Sequence, residues 1–486
     1  MGNFNFRFVL RMLGFVLIFE SLFMMLCSLV SFYYMEECGD IILTCSAITI
    51  VTGVFLRIFG TEPIPNRTTK RESFLAVTLI WLSLTFFGML PFYLSGIVPK
   101  VSDAFFESMA GFSTTGSTIF KNIDIIPKGL LLWRSITQWI GGIGIIVFAL
   151  LLLPMVGGNG VALYNSEVTG ISKDKFSPKI KETAKQLWYI YVFITILLMV
   201  LLTFSPMSLF DNICHSLSTV STGGSSTKQA SIAYWNSPYI EYVLCLFMFI
   251  GGTNFTLIYF ISRGKVKKLF RNEEFKWYVG ICLAFTLVVM IGIYFSGQMK
   301  HIEPAFRTSL FQVISIVTTT GYSTVDFNSW GVFYSLLMCL LMLFCACAGS
   351  TSGGLKIIRM IILTKNAINE FKRQVHPNAI LPVRVNGNVV PMDVVTKILA
   401  FIFLYLVILF ISFLVLSLSG MNFEESVSSA ISCMSNVGPA LGKLGPSGDF
   451  SSIPDFSKWY LAFLMLVGRL EIFTVLSLFM PAFWKR

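Results

Sequence analysis

The sequence predicts an all-α polytopic membrane protein with ten transmembrane helices, eight of them arranged as four helix–pore loop–helix repeats with pseudo-fourfold symmetry about a common axis. Three observations predict it. The composition is too apolar for a water-soluble domain. Apolar stretches of membrane-spanning length recur from end to end. Between them lie four related glycine-ended loops at a period of roughly a hundred residues.

Of the 486 residues 55% are hydrophobic and only 13% charged, whereas roughly a quarter of a soluble domain is charged. Read with a window of about 20 residues, the length a bilayer core requires of a helix, apolar spans fall near 10–35, 41–59, 73–97, 130–154, 186–204, 239–262, 277–296, 331–348 with a continuation to 364, 396–419 and 459–482. The first follows Arg7 and Arg11 but runs on to Tyr34 without a small-residue cleavage site, so it reads as a retained span and not a signal peptide.

The net charge of +11 alone would suit a nucleic-acid partner, so the distribution of the 36 Lys and Arg decides its meaning. Alternate loops carry 26 of them, the opposite loops nine, and Arg469 lies inside a span. That alternation is the positive-inside pattern; it places both termini in the cytoplasm and makes the basic charge a topology signal, with no nucleic acid required. The ten Cys show no C-x-x-C spacing and sit mostly within spans, as small buried hydrophobes do. His215, His301 and His376 are scattered, which argues against a metal-ligand cluster.

From the third span onward each loop of the less basic side repeats one pattern. An amphipathic stretch too short to cross the bilayer is followed by a small, mostly polar run ending in glycine. The stretches begin at Ser102, Ser208, Ala305 and Asn422, and lead to Thr114-Thr115-Gly116, Ser221-Thr222-Gly223, Thr319-Thr320-Gly321 and Asn436-Val437-Gly438. These divide the chain into two N-terminal helices (1–72) and repeats over 73–172, 173–272, 273–378 and 379–486, the last including a cytoplasmic hairpin. Non-helical backbone at membrane depth must be buried in protein or line a water-filled path. Four such loops can aim carbonyl oxygens at a central ion pore and replace a cation's hydration shell, with glycine supplying the positive φ that aligns neighbouring carbonyls. Potassium, large and weakly hydrated, suits such a filter.

With these loops come Trp139-Ile140-Gly141-Gly142-Ile143-Gly144, Ala348-Gly349-Ser350-Thr351-Ser352-Gly353-Gly354-Leu355-Lys356, Val375-His376-Pro377-Asn378-Ala379 and Gly468-Arg469-Leu470-Glu471. In this order, along nearly the whole chain, they resemble the membrane subunit of Trk-type bacterial potassium uptake systems, within the superfamily that includes the Ktr subunits and the plant and fungal high-affinity potassium transporters. The resemblance implies potassium uptake across the bacterial inner membrane, with K+ as the transported ion and no organic cofactor in this chain. It makes the four tripeptides the ion-coordinating filter. A serine replaces the first glycine in relatives that admit sodium, so Gly116 favours potassium. The fourth loop has Asn436 and Val437 where the others carry hydroxyls, and it leans more on its carbonyls.

The small polar run from Gly349 to Gly354 breaks the eighth span. The resemblance makes it, with Lys356, a movable gate beneath the filter; the alternative is a packing kink. It lacks the G-x-x-x-x-G-K-[ST] spacing of a phosphate loop. Arg469, in mid-span, costs about 2.5–3.5 kcal/mol on insertion scales, so it requires a partner or the pore. The resemblance places it as a positive barrier under the filter; the alternative is an ion pair with another span. Glu471, two residues on, points elsewhere on a helix. Glu107, Asp211, Glu424 and Glu425 at the short helices either draw cations to the mouth or complement the helix dipoles.

Asn386-Gly387 between alternating hydrophobics predicts a hairpin. No nucleotide-binding domain is legible, and relatives are gated by a separate cytosolic nucleotide-binding ring. The hairpin and the basic loops 173–185 and 263–276 are therefore expected to dock such a ring, and the resemblance also implies a homodimer. Membrane lipid is the remaining partner. A voltage sensor would need an Arg-rich span, an inverted-repeat transporter paired breaks of opposite orientation, and an enzyme a convergent catalytic set; the sequence offers none. A potassium symporter driven by H+ or Na+ stays open beside a gated channel.

Overall fold

The computed structural model describes residues 6–60, 70–156 and 180–484. The order of helices follows the alternation of long apolar and short amphipathic segments. An N-terminal pair, α1 (Phe6–Tyr33) and α2 (Cys38–Phe59), precedes α3 (Lys70–Gly88, continued by Leu90–Leu94). Then come α4 (Val101–Phe112) and α5 (Lys128–Val156), followed by α6 (Ile180–Leu202), α7 (Leu209–Val220), α8 (Pro238–Gly251) and α9 (Phe255–Ser262). The third group is α10 (Glu273–Phe295), α11 (Ile302–Val317), α12 (Val332–Leu341) and α13 (Ile357–Val375). The last is α14 (Met392–Leu418), α15 (Phe423–Ser435), α16 (Asp455–Leu470) and α17 (Ile472–Leu476). Long, short, long recurs four times, and the short members α4, α7, α11 and α15 lie inside the bundle.

The outer surface, more than the buried core, departs from that of a soluble domain, because the bilayer is the solvent. Outer helices show apolar faces, with Phe403, Phe410 and Leu414 of α14 more than half exposed, while α15 buries Ser426, Ser428, Ser429, Ser432 and Ser435. Small residues let helices approach where lipid removes the hydrophobic drive for association. At the crossing of α1 and α2, a Cβ on Gly53 would lie 2.9 Å from the carbonyl oxygen of Gly14.

Among the described residues six helices are long and apolar enough to cross a membrane, and two bent pairs raise the number to eight. The chain is an integral membrane protein. Two spans expected to be continuous are bent, and the eighth, expected to break, does so early. The span expected at 239–262 turns by 102° between α8 and α9, where Gly251 and Gly252 end one helix and the Asn254 side chain caps the next by accepting from Thr256 N (2.8 Å). That at 459–482 turns by 114° at Glu471, whose φ of 67° no helix permits. The eighth unwinds at Leu341, well before the expected break at Gly349, and resumes at Ile357.

The expected hairpin is present. Arg384 pairs with Val389 and Val385 with Asn388 in an antiparallel register, and Asn386 (φ 53°) and Gly387 (φ 80°) supply the two positive φ angles of a type I′ turn. Asn386 Oδ1 accepts from Glu273 N (2.7 Å), and Lys365 Nζ donates to Arg384 O (2.7 Å), which fastens the hairpin to α10 and α13.

Candidate functional site

The four short helices end in one way. In each, the residue after the last helical turn is left-handed: Thr114 (φ 56°), Thr222 (54°), Thr319 (58°) and Asn436 (57°). Its N–H bonds three residues back, to Gly111, Thr219, Ile316 and Cys433, and the next N–H bonds five back, to Ala110, Ser218, Ser315 and Ser432. This is the Schellman ending, with β-branched threonine at three of the four positions, a strained choice for a positive φ. Two residues on, a second left-handed position is always glycine: Gly116, Gly224, Gly321 and Gly438.

That geometry corrects the sequence alignment of the second loop. Its equivalent of Thr114-Thr115-Gly116 is Thr222-Gly223-Gly224, one residue later than the expected Ser221-Thr222-Gly223. Ser221 is the last-turn residue, its hydroxyl donating to Leu217 O (2.9 Å) as Thr318 does to Ile314 O (2.7 Å) and Ser113 to Met109 O (2.6 Å). The tandem glycines concealed the register, since either fits the pattern on paper.

The loops close on one another. A Cβ on Gly116 would collide with the carbonyl oxygen of Gly223, one on Gly224 with that of Thr320, one on Gly321 with that of Val437, and one on Gly438 with that of Thr115. Each loop thus sets a carbonyl against the glycine of its neighbour, in the cyclic order one, two, three, four, one. Side-chain bonds brace this ring. Gln138 Nε2 donates to Gly223 O (2.7 Å) while its Oε1 accepts from Ser218 Oγ (2.5 Å) and Ser225 N (3.1 Å). Ser117 Oγ donates to Gly438 O (2.9 Å) and Asn436 Nδ2 to Thr115 Oγ1 (2.9 Å), joining the first loop to the fourth. The hydroxyls of Thr115 and Thr320 turn back to Ser113 and Thr318 (2.6 and 2.7 Å), so they brace the loops.

Gln138 was not singled out in the sequence. Its signal was an uncharged amide in the middle of an apolar span. Replacing it with Ala leaves a buried carbonyl and hydroxyl without their partner, at about 1–3 kcal/mol for each unsatisfied group. Thermal unfolding of purified Gln138→Ala should therefore begin several degrees below the parent; an unchanged midpoint would show that the amide does not hold the ring.

The run at Gly349–Gly354 lies against the helix-side edge of the same ring. Thr351 Oγ1 lies 3.2 Å from Thr222 Oγ1, and Gly353 N donates to Thr319 Oγ1 (3.2 Å). Arg469 Nη1 donates to Thr351 O (2.7 Å) and Thr114 Oγ1 (3.3 Å), and Nη2 to Gly141 O (2.6 Å). Three of the four left-handed residues are thereby tied to this layer, and the Asn436 side chain lies against Gly353. Lys356, buried, donates to Ser352 Oγ (2.9 Å) and Gly353 O (3.0 Å) and to Ser352 O, while Ser350 Oγ pairs with Ser352 Oγ (2.7 Å). The ends of the run are held by Ala348 N to Glu274 Oε1 (2.7 Å) and Phe255 N to Gly349 O (3.0 Å). Glu471 is engaged by Arg359 (2.5 Å), whose guanidinium also lies 3.9 Å from the Phe401 ring centre. Glu274, Asn254 and Glu471 stand far from this run in sequence, and nothing in the sequence ties them to it.

The acidic residues divide. Glu107 is buried and pairs with Arg134 (2.7 Å), its second oxygen accepting from Thr118 Oγ1 (3.0 Å) and Ile119 N (2.9 Å). Asp211 accepts from Thr227 Oγ1 (2.6 Å) and Ser208 Oγ (2.8 Å). Both carboxylates hold a short helix to the chain leaving its loop, and Glu107, neutralised by Arg134, is no free charge at a mouth. Glu424 remains exposed. Because a buried pair broken on one side strands the other charge, at about 3–5 kcal/mol, Glu107→Gln should lower the unfolding midpoint by more than Glu107→Gln combined with Arg134→Met. Equal midpoints for single and double variants would count against the pairing.

Residues 41–486 match the TrkH model, described as a cation transport protein. The chain is 36% identical to the Trk system potassium uptake protein TrkH of Escherichia coli K12 over 99% of its own length and 100% of that protein's. It is 34% identical to the Trk system potassium uptake protein TrkG of the same strain, over the whole of both chains. The crystal structure of the potassium transporter TrkH from Vibrio parahaemolyticus superposes with a TM-score of 0.90 at 34% identity, covering 99% of this chain and 100% of that one.

Proposed function

Because the chain belongs to the TrkH family of cation transport proteins, we propose that it takes up potassium ions through the ring of four loops. The observation that carries this reading is the closed cycle of carbonyls and glycines. A cation that sheds water needs several uncharged oxygens at once, and rings of backbone carbonyls provide them. Thr114, Thr115, Gly116; Thr222, Gly223, Gly224; Thr319, Thr320, Gly321; and Asn436, Val437, Gly438 form the filter, with Ser221 supporting the second loop from the last helical turn. Four loops in one closed order support the fourfold repeat over 73–172, 173–272, 273–378 and 379–486, after the N-terminal pair 1–72. On this reading α5 and the α12–α13 unit complete ten crossings.

Gly349, Ser350, Thr351, Ser352, Gly353, Gly354 and Lys356, with Arg469, are the gate. The hydrogen bonds from this layer to Thr114, Thr222 and Thr319 are those of a closed passage, and a cation leaving the filter meets the Arg469 guanidinium. A plug that must move favours a gated channel over coupling to H+ or Na+, and reversal potentials in reconstituted bilayers at the potassium Nernst value are the expected result. The charge of the basic loops supports cytoplasmic termini, and the family supports a bacterial inner membrane. The family resemblance supports a homodimer and a cytosolic nucleotide-binding ring docked on the hairpin and on loop 263–276; most of loop 173–185 lies outside the described residues. A pull-down of that ring undiminished by deleting the hairpin and neutralising 263–276 would exclude this surface.

The test of the main reading is rubidium uptake in cells lacking their own potassium uptake, with the partner ring supplied. The parent chain should support uptake, and Gly116→Ser should reduce it or admit sodium. No uptake by the parent would overturn the proposal.

A further inference from the structure

On the flank of the bundle, at the end where α7 begins, a groove of about 290 Å³ runs between α1, α5 and α7, lined by Leu26, Leu29, Tyr34, Leu132, Phe210 and Ile213 among others. Its walls are almost wholly apolar, and several of its residues stand open: Leu26 is 47% exposed and Leu29 59%. In an integral membrane protein such a flank faces hydrocarbon, so the groove's natural contents are an acyl chain. At its rim Lys128 sets its ammonium 3.7 Å from the centre of the Tyr34 ring and 5.8 Å from that of Phe210. Glu36 does not neutralise it by contact: the two carboxylate oxygens accept from Lys128 N (2.6 Å) and Gly129 N (3.0 Å), capping α5. Tyr34 stands beside this ammonium, and Tyr33, 80% exposed, packs edge-on against Tyr34 (ring centres 5.2 Å), as aromatic residues gather at the boundary between headgroups and tails.

We infer that this groove is a phospholipid site, with one acyl chain lying along α1 and the lipid phosphate on Lys128. The shape and the Lys128 cation at the apolar boundary select a lipid over a second copy of the chain, which would have to fill a narrow slot with a matching ridge. Pore-side consequences follow from α7. Phe210 and Ile213 form the groove wall, and Ser218 on the same helix bonds Gln138, which holds the Gly223 carbonyl. The lipid therefore supports the helix that carries the second loop.

The inference does not depend on which ion is carried, and its test needs no transport. Delipidated protein is titrated with palmitoyl-oleoyl-phosphatidylglycerol, or with the corresponding diacylglycerol that lacks the phosphate, and bound lipid is counted by native mass spectrometry. One tightly held phospholipid is expected on the parent. Retention should fall at least fivefold in Leu29→Trp, which fills the groove from an exposed position, and in Lys128→Gln, while Leu414→Trp on the far lipid face leaves it unchanged. Diacylglycerol should bind at least fivefold more weakly than the phospholipid. Equal retention by the parent, Leu29→Trp and Lys128→Gln would overturn the site, as would equal binding of diacylglycerol. So would a loss of dimer mass in Leu29→Trp with lipid retention unchanged, which would identify a second copy as the occupant.

Discussion

Gly224→Ala is expected to cut rubidium uptake by more than about tenfold at equal membrane abundance. Gly224 sits at φ 74°, and its Cβ would collide with the carbonyl oxygen of Thr320. The left-handed conformation alone costs an alanine about 1–2 kcal/mol, and the collision is with backbone, which cannot swing aside as a side chain can. The third loop must retreat, and the carbonyl it presents to the ring moves with it. Gly223→Ala is the informative comparison. Its φ is not positive, and its Cβ would meet the Gln138 side chain, so the damage comes through the brace and not the ring. A milder loss is expected, with uptake retained in part. Wild-type uptake by Gly224→Ala would restore the register that places Gly223 at the filter glycine.

The second large effect is at Arg469. Arg469→Ala removes donors to Thr351 O, Thr114 Oγ1 and Gly141 O, and hydrogen bonds to charged groups contribute about 1.5–3 kcal/mol each. Potassium flux into liposomes holding the chain without its partner ring should rise several-fold or more, because the layer beneath the loops loses both its tether and its positive charge. Arg469→Lys separates the two contributions. An ammonium keeps the charge but lacks the planar fork that reaches acceptors on three segments. If the charge alone blocks ions, the lysine variant stays closed; if the tether matters, it leaks to an intermediate degree. Unchanged flux in Arg469→Ala would remove the residue from the gate.

These two predictions rest on different kinds of information. The membrane class, the places of the long helices and the alternation of long with short were legible in the sequence, because apolar length and loop charge are set by the bilayer and need no partner. So were the hairpin at Asn386-Gly387, whose turn is dictated locally by φ, and the importance of Arg469, since a cation in hydrocarbon requires acceptors wherever they come from. The acceptors themselves were not legible. They are carbonyls of Thr351 and Gly141, more than a hundred residues away, and any residue type supplies a carbonyl.

The ring of four loops shows the same division. Sequence alone determined that four small polar segments recur and that each contains a glycine. It did not determine which of two adjacent glycines in the second loop takes the left-handed position, because the pattern of residue types is satisfied by either. Only the tertiary structure decided it, through a Schellman bond from Gly223 N to Ser218 O (2.9 Å) and the backbone of the next loop pressed against Gly224. Likewise Glu107 on its short helix reads as a charge at a mouth until Arg134 is found folded against it. Pattern fixes what a segment can be by itself, whereas register, bends and charge pairing depend on which distant backbone arrives beside it.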